Sequence, residues 1–268
     1  MATDPTPLEL PYDAVDHLRT DGEALIGVIV DHGLEGPVPT CPGWSLGDLA
    51  WHVGQVWDFW GRIVSQEATT VEEVRGIGDG RVRPGDEMLL DWATAAHTEL
   101  LSALVRAPHD QEVWTWTGAN RTVRWVRRRM AQETAVHRCD AANAVGLPDE
   151  VAAAVAADGI DEFLMWFAGR SADGSTALDG SVHLHCTDTD SDVTEGSDHR
   201  AEAGGEWLVT QLDADGAVFT REHAKGDAAV RGRAHDLLMW MWGRSDAGVE
   251  ILGDAGVAER FRSFTDLG

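Results

Sequence analysis

The chain has 268 residues, 43% hydrophobic and 25% charged, an ordinary globular balance with material for one large core or two smaller ones. Acidic residues outnumber basic ones 46 to 21, a net charge of -25, which repels nucleic acid and anionic membrane surfaces rather than drawing them in. No apolar run reaches the roughly 18 residues of a membrane-spanning helix. The opening Met1–Pro7 lacks the basic and apolar regions of a secretion signal, and three scattered cysteines, Cys41, Cys139 and Cys186, make no disulfide framework. The expectation is a cytoplasmic protein.

In chain order, Ala14, Val15, Leu18, Leu25, Ile26, Ile29 and Val30 recur at helical spacing and stop near Gly33. A rigid connector, Gly36–Gly43, leads to Ser45, which opens a second helix with Asp48 three residues on as a near-capping box. That helix carries Leu46, Leu49, Val53, Val56, Trp57, Trp60 and Val64. Arg75–Gly85 reads as loop. A third helix spans roughly Glu87–Arg106 and a fourth roughly Arg121–Val145, ending at Gly146-Leu147-Pro148. Four helices with mostly short connections predict an antiparallel bundle. Most of the tryptophans in these patterns, such as Trp57, Trp60, Trp166, Trp240 and Trp242, read as core.

One more helix, Val151–Phe167, precedes a change of texture. Val182, Leu184 and Cys186 alternate with His183, His185 and Thr187, a period of two. Strand-like runs follow at Trp207–Gln211, Ala217–Arg221, Ala228–Arg231 and Val249–Leu252, with helical segments at Ala234–Trp242 and Val257–Phe264. The expected organisation is a helical domain over 1–172 and a smaller α+β domain over 173–268.

The fourth helix is the most informative segment. Val123, Val126, Met130, Glu133, His137 and Ala141 fall within an arc of roughly 80° at helical periodicity. Glu133 and His137 therefore share the inward stripe, one turn apart. A buried carboxylate is costly unless paired or bound to a metal. The two residues are either ligands of one ion or a pair that satisfies itself, with help from one of Arg127–Arg129. His52, flanking the apolar stripe of the second helix, is either a satisfied core histidine or a third ligand. Two His and one Glu would leave an open coordination position, as in catalytic zinc sites, and the same set suits non-haem iron.

Three stretches resemble a known family. Pro42-Gly43-Trp44-Ser45-Leu46-Gly47-Asp48-Leu49-Ala50-Trp51-His52 is similar to the opening motif of mycothiol-dependent maleylpyruvate isomerases, and Glu133–Ala141 resembles their E-x-x-x-H-R-W-D-A segment. Gly232–Arg244 is similar to their second-domain signature. The resemblance implies a DinB-like four-helix bundle followed by a sterol-carrier-like α+β domain. It implies Zn2+ or another divalent metal held by His52, Glu133 and His137, with mycothiol as thiol cofactor. The metal would lower the thiol's pKa so that the thiolate adds to an electrophilic substrate, as in cis–trans isomerisation of maleylpyruvate. Alternatives are a mycothiol S-transferase, which leaves the thiol attached, and a non-catalytic binding protein. Cys139 stands where the family has tryptophan and, two residues from His137, reads as packing.

Partners are then a small-molecule thiol and an electrophile, with no nucleic acid and no membrane, in a monomer or small homo-oligomer. A dicarboxylic substrate needs local cations, and Arg231 and Arg233, with Arg244, are the candidate catalytic or substrate-binding arginines. Other signals are set aside. Arg127-Arg128-Arg129 reads as a solvated face. Asp188–Asp192 lacks the glycine and closing glutamate of a calcium loop. His183 and His185 share a strand face and could bind metal with His199, but an exposed strand face is the simpler account.

Overall fold

The computed structural model describes residues 9–78, 80–169, 178–189, 205–213 and 216–263. The chain divides into two compact units, Met1–Glu150 and Val151–Gly268.

The first unit is a bundle of α1 (Ala14–His32), α2 (Leu46–Ser65), α4 (Asp86–Arg106) and α5 (Val123–Ala144), with a short α3 (Val71–Gly78) between α2 and α4. α2 packs on α4 and α5, and α1 on α4 and α5. Leu18, Leu25 and Ile29 of α1, Leu49, Trp57 and Ile63 of α2, Leu89, Leu100 and Leu104 of α4, and Val123 and Val126 of α5 are all fully buried. Each apolar stripe thus meets its neighbours, which is the main source of stability for amphipathic helices. The Ser45–Asp48 pairing is a complete capping box: Ser45 Oγ accepts from Asp48 N at 3.1 Å and Asp48 Oδ2 accepts from Ser45 N at 2.9 Å.

Two sequence expectations fail here. Part of the Arg75–Gly85 loop is the end of α3, which Thr70 and Glu73 start. Glu73 Oε2 accepts from the amides of Thr69 and Thr70, while Val74 and Ile77 turn inward. The arginine run is not a solvated face either: Arg127, Arg128 and Arg129 are 9%, 0% and 4% exposed. Arg127 is spent on backbone carbonyls, donating to Leu104 O and to Ala107 O, and on His109.

The second unit begins with α6 (Ala153–Trp166) and continues through β1 (Val182–Cys186), β2 (Glu206–Asp213), β3 (Gly216–Thr220), β4 (Ala228–Gly232), α7 (Ala234–Met241), β5 (Val249–Gly253) and α8 (Ala255–Ser263). The sheet order is β3-β2-β1-β4-β5, with β1 and β4 parallel and the other pairs antiparallel. Val182, Leu184 and Cys186 are fully buried on one face, where α7 and α8 supply Leu237, Leu238, Met241 and Phe261. Asp161 of α6 accepts from Trp207 Nε1 at 3.1 Å and from Arg221 Nε at 2.6 Å. α6 is therefore tied to the sheet and α7, and the division falls after Glu150, where the change of periodicity had pointed to 172.

Candidate metal centre

The site is assembled from α2, α5 and the connector before α2. Gly43, at φ +86°, adopts a left-handed turn that β-carbon-bearing residues resist, and it places Trp44 and the capping Ser45 one after the other. The connector is stitched by Val38 N to Trp44 O at 2.9 Å and by Trp44 N to Cys41 O at 3.0 Å. With α2 started at Ser45, His52 lies two turns in. Trp57, farther along α2, donates from Nε1 to Thr134 Oγ1 at 3.0 Å, which fixes the register of α2 against α5 beside Glu133.

In that register three side chains converge. His52 Nε2 lies 3.1 Å from Glu133 Oε1, and His137 Nε2 lies 3.4 Å from the same oxygen. One donor atom from each of the three falls within 4.8 Å of the others, compact enough for a single ion. The set of two imidazoles and one carboxylate fits a divalent transition metal and keeps coordination positions for a further ligand. The cluster is more open on the His52 side, whose side chain is 35% exposed against 9% for His137.

The surroundings hold each ligand in place. Asp140 Oδ2 accepts from His137 Nδ1 at 2.8 Å, which turns Nε2 toward Glu133 and His52. Cys41 Sγ donates to the same Asp140 oxygen at 3.5 Å, tying the connector to α5. Arg129 Nη2 donates to Glu133 Oε2 at 2.9 Å and leaves Oε1 to face the histidines. The Trp44 ring lies over both imidazoles, its centroid 4.9 Å from that of His52 and 6.4 Å from that of His137. Burial works against ionising Glu133, yet hydrogen bonds with His137 and His52 and the charges of His137 and Arg129 hold its carboxyl well below the usual range. For His137, burial opposes protonation but is outweighed by the bonds to Asp140, Cys41 and Glu133, and its pKa is raised well above the usual range.

Periodicity singles out Glu133 and His137, and the resemblance adds His52; the structure brings the three side chains together. Asp140, Trp44 and Cys41 were not singled out for this role, whereas Arg129 is one of the three arginines weighed as a partner for the Glu133–His137 pair. For Asp140 a signal existed, since i, i+3 spacing from His137 puts it within reach. Cys139 is buried, and burial pushes its thiol up to about 12, in keeping with a packing role.

The expected substrate arginines lie in the second unit. Arg231 is an exposed residue of β4, 3.9 Å from Glu250. Arg233 is the N-cap residue of α7, with Nε 3.5 Å from Asp188 Oδ2. Arg244 donates to Trp242 O at 2.8 Å and sits over that residue's ring. The Asp188–Asp192 stretch, set aside as a calcium loop, falls mostly outside the described residues, although Asp188 itself caps α7 by accepting from Ala234 N at 2.8 Å. No helix among the described residues is long and apolar enough to cross a membrane.

Residues 15–142 match the family model described as the mycothiol maleylpyruvate isomerase N-terminal domain, and residues 154–260 match the MDMPI C-terminal domain. Among solved structures, a histidine-to-alanine variant of the mycothiol-dependent maleylpyruvate isomerase superposes with TM-score 0.58 at 14% identity, covering 94% of this chain and 95% of that one. A second crystal structure of the mycothiol-dependent maleylpyruvate isomerase gives TM-score 0.56 at 15% identity, with the same coverage of 94% and 95%. No curated protein sequence matches the chain.

Proposed function

Because the chain belongs to the mycothiol maleylpyruvate isomerase family, we propose that it is a mycothiol-dependent isomerase whose metal is held by His52, Glu133 and His137. The observation that carries this reading is the convergence of those three side chains on one point, with an acidic partner behind His137 and a cation behind Glu133. A divalent metal such as Zn2+, when bound there, supplies a Lewis acid that lowers the pKa of a thiol.

The chain's own residues do the positioning. Asp140 accepts the Nδ1 proton of His137, so that Nε2 is the nitrogen turned to the shared centre, where it would give up its proton to a bound metal. Arg129 neutralises the outer oxygen of Glu133 and keeps the carboxylate ionised inside a mostly apolar bundle. Trp44 packs against both imidazoles and covers that side of the pair. The open His52 side is where thiol and electrophile are admitted. The substrate class that fits is an electrophilic, cis-configured unsaturated acid like maleylpyruvate. Reversible thiol addition to such a substrate permits rotation about the former double bond, and elimination returns the free thiol.

Arg231 and Arg233 remain the proposed partners of the substrate carboxylates, as exposed guanidinium groups in an acidic chain. The test is incubation of the zinc-loaded protein with mycothiol and maleylpyruvate. The expected result is conversion to the trans isomer with the thiol unconsumed. Stoichiometric loss of thiol into a stable adduct would identify an S-transferase instead.

A further inference from the structure

A second group of metal-capable side chains lies in the other unit, on the sheet face opposite the helices. Alternation along β1 puts His183 and His185 on that face, while Leu184 points into the core. The antiparallel register sets Glu206 of β2 directly across from His185. His223 arrives from the β3–β4 connection. His183 Nε2, His185 Nδ1 and His223 Nδ1 lie 2.9, 3.0 and 2.6 Å from the Glu206 carboxylate. The imidazole centroids are 5.3 to 6.1 Å apart. One donor atom from each of the four residues falls within 4.8 Å of the others.

This is not the exposed strand face that the sequence pattern suggested. His183 is only 7% exposed. His199, the third ligand considered from sequence, is outside the described residues; His223 and Glu206 stand in its place. The connection carrying His223 is held down deliberately. Asp227 Oδ2 accepts from Ser181 N at 2.8 Å and from Ser181 Oγ at 2.7 Å. Gly226 presses on the start of β1 so closely that a β-carbon there would lie 2.8 Å from the backbone nitrogen of His183. A cavity of about 330 Å³, lined by His183 and His223 together with Lys225 and Asp227, opens beside the group.

We infer that His183, His185, Glu206 and His223 form a second metal site, for a divalent transition cation of the zinc class. Three imidazoles and one carboxylate make a four-donor set from three chain segments, the number that closes a tetrahedral zinc site. Such a set cross-links β1, β2 and the β3–β4 connection, so its role is to hold the small sheet unit together, independently of the His52–Glu133–His137 group.

The test uses the full chain, stripped with chelator and titrated with zinc sulfate against a colorimetric zinc indicator. In a His52→Ala/His137→Ala background, which removes two of the three proposed ligands in the bundle, about one equivalent of zinc should still bind. Adding His185→Ala and His223→Ala should abolish it, together with the zinc-dependent gain in thermal stability that the background protein shows. Should that variant fold poorly, His223→Ala alone, altering an exposed side chain, must still weaken zinc binding. A background protein that binds no zinc, or one that keeps its equivalent after the β1 and loop substitutions, overturns the proposal. Failure of the first site would show separately, as no difference in zinc content between wild type and the His52→Ala/His137→Ala protein.

Discussion

Asp140 and His137 share a hydrogen bond of 2.8 Å between Oδ2 and Nδ1, one turn apart on the same helix, and the carboxylate side chain is fully buried. A carboxylate behind a metal-binding imidazole fixes its tautomer and raises its basicity. Asp140→Asn should therefore weaken zinc binding by about 10–100-fold, without displacing any proposed ligand. Competition against a chelator of known affinity checks this; an unchanged affinity would mean that Asp140 only packs.

The bundle fold was legible because its signals are local. Helical spacing in α1, α2, α4 and α5 and the Ser45 cap each need only a few neighbouring residues. Glu133 and His137 stood out as polar residues on an apolar stripe. What escaped was everything set by contact between distant segments. Trp44 lies over His52 only because the connector folds back, and Glu206 meets three histidines only through the β1–β2 register. The buried arginines were misread for the same reason: helical spacing cannot tell that Leu104 O and Ala107 O wait for Arg127.

His97 should give the bundle a pH-dependent stability. Burial holds its pKa below the usual value of 6.5, and its Nε2 donates to Leu18 O at 2.9 Å as a neutral ring. A histidine whose folded pKa is depressed contributes stability that is present above the unfolded pKa and lost as pH falls below it, since the unfolded chain binds the proton first. Because His137, with its raised pKa, contributes with the opposite sign, the His97 contribution is read against a variant: it tilts the wild-type melting temperature downward as pH drops from about 7.5 to 5.5 relative to a chain lacking His97. His97→Gln, which keeps a donor for Leu18 O, should flatten that slope; an identical slope would contradict the assignment.

Helix α1 approaches α4 closely at Gly22. A β-carbon there would lie 2.3 Å from His97 Nε2. Gly22→Ala gains about 1 kcal/mol of helix propensity but forces a buried, hydrogen-bonded ring to move, at about 1–3 kcal/mol. Net destabilisation is expected in a urea titration, and a stabilised variant would show that His97 yields freely.

The thiol of the reaction should come from outside the chain. Cys41, Cys139 and Cys186 are all buried, and Cys139 is pushed up to about 12. Brief treatment with iodoacetamide at neutral pH should leave all three unmodified by mass spectrometry and the mycothiol-dependent rate intact. Rapid alkylation of Cys139 with loss of rate would implicate a protein thiol.

The most direct measurement is metal content together with mycothiol-dependent isomerisation of maleylpyruvate, for wild type and for His52→Ala, Glu133→Ala and His137→Ala. Each substitution should remove about one zinc per chain and the isomerase activity while the helical circular dichroism signal persists. Variants that retain the wild-type metal content, or that isomerise the substrate at the wild-type rate, would contradict the account.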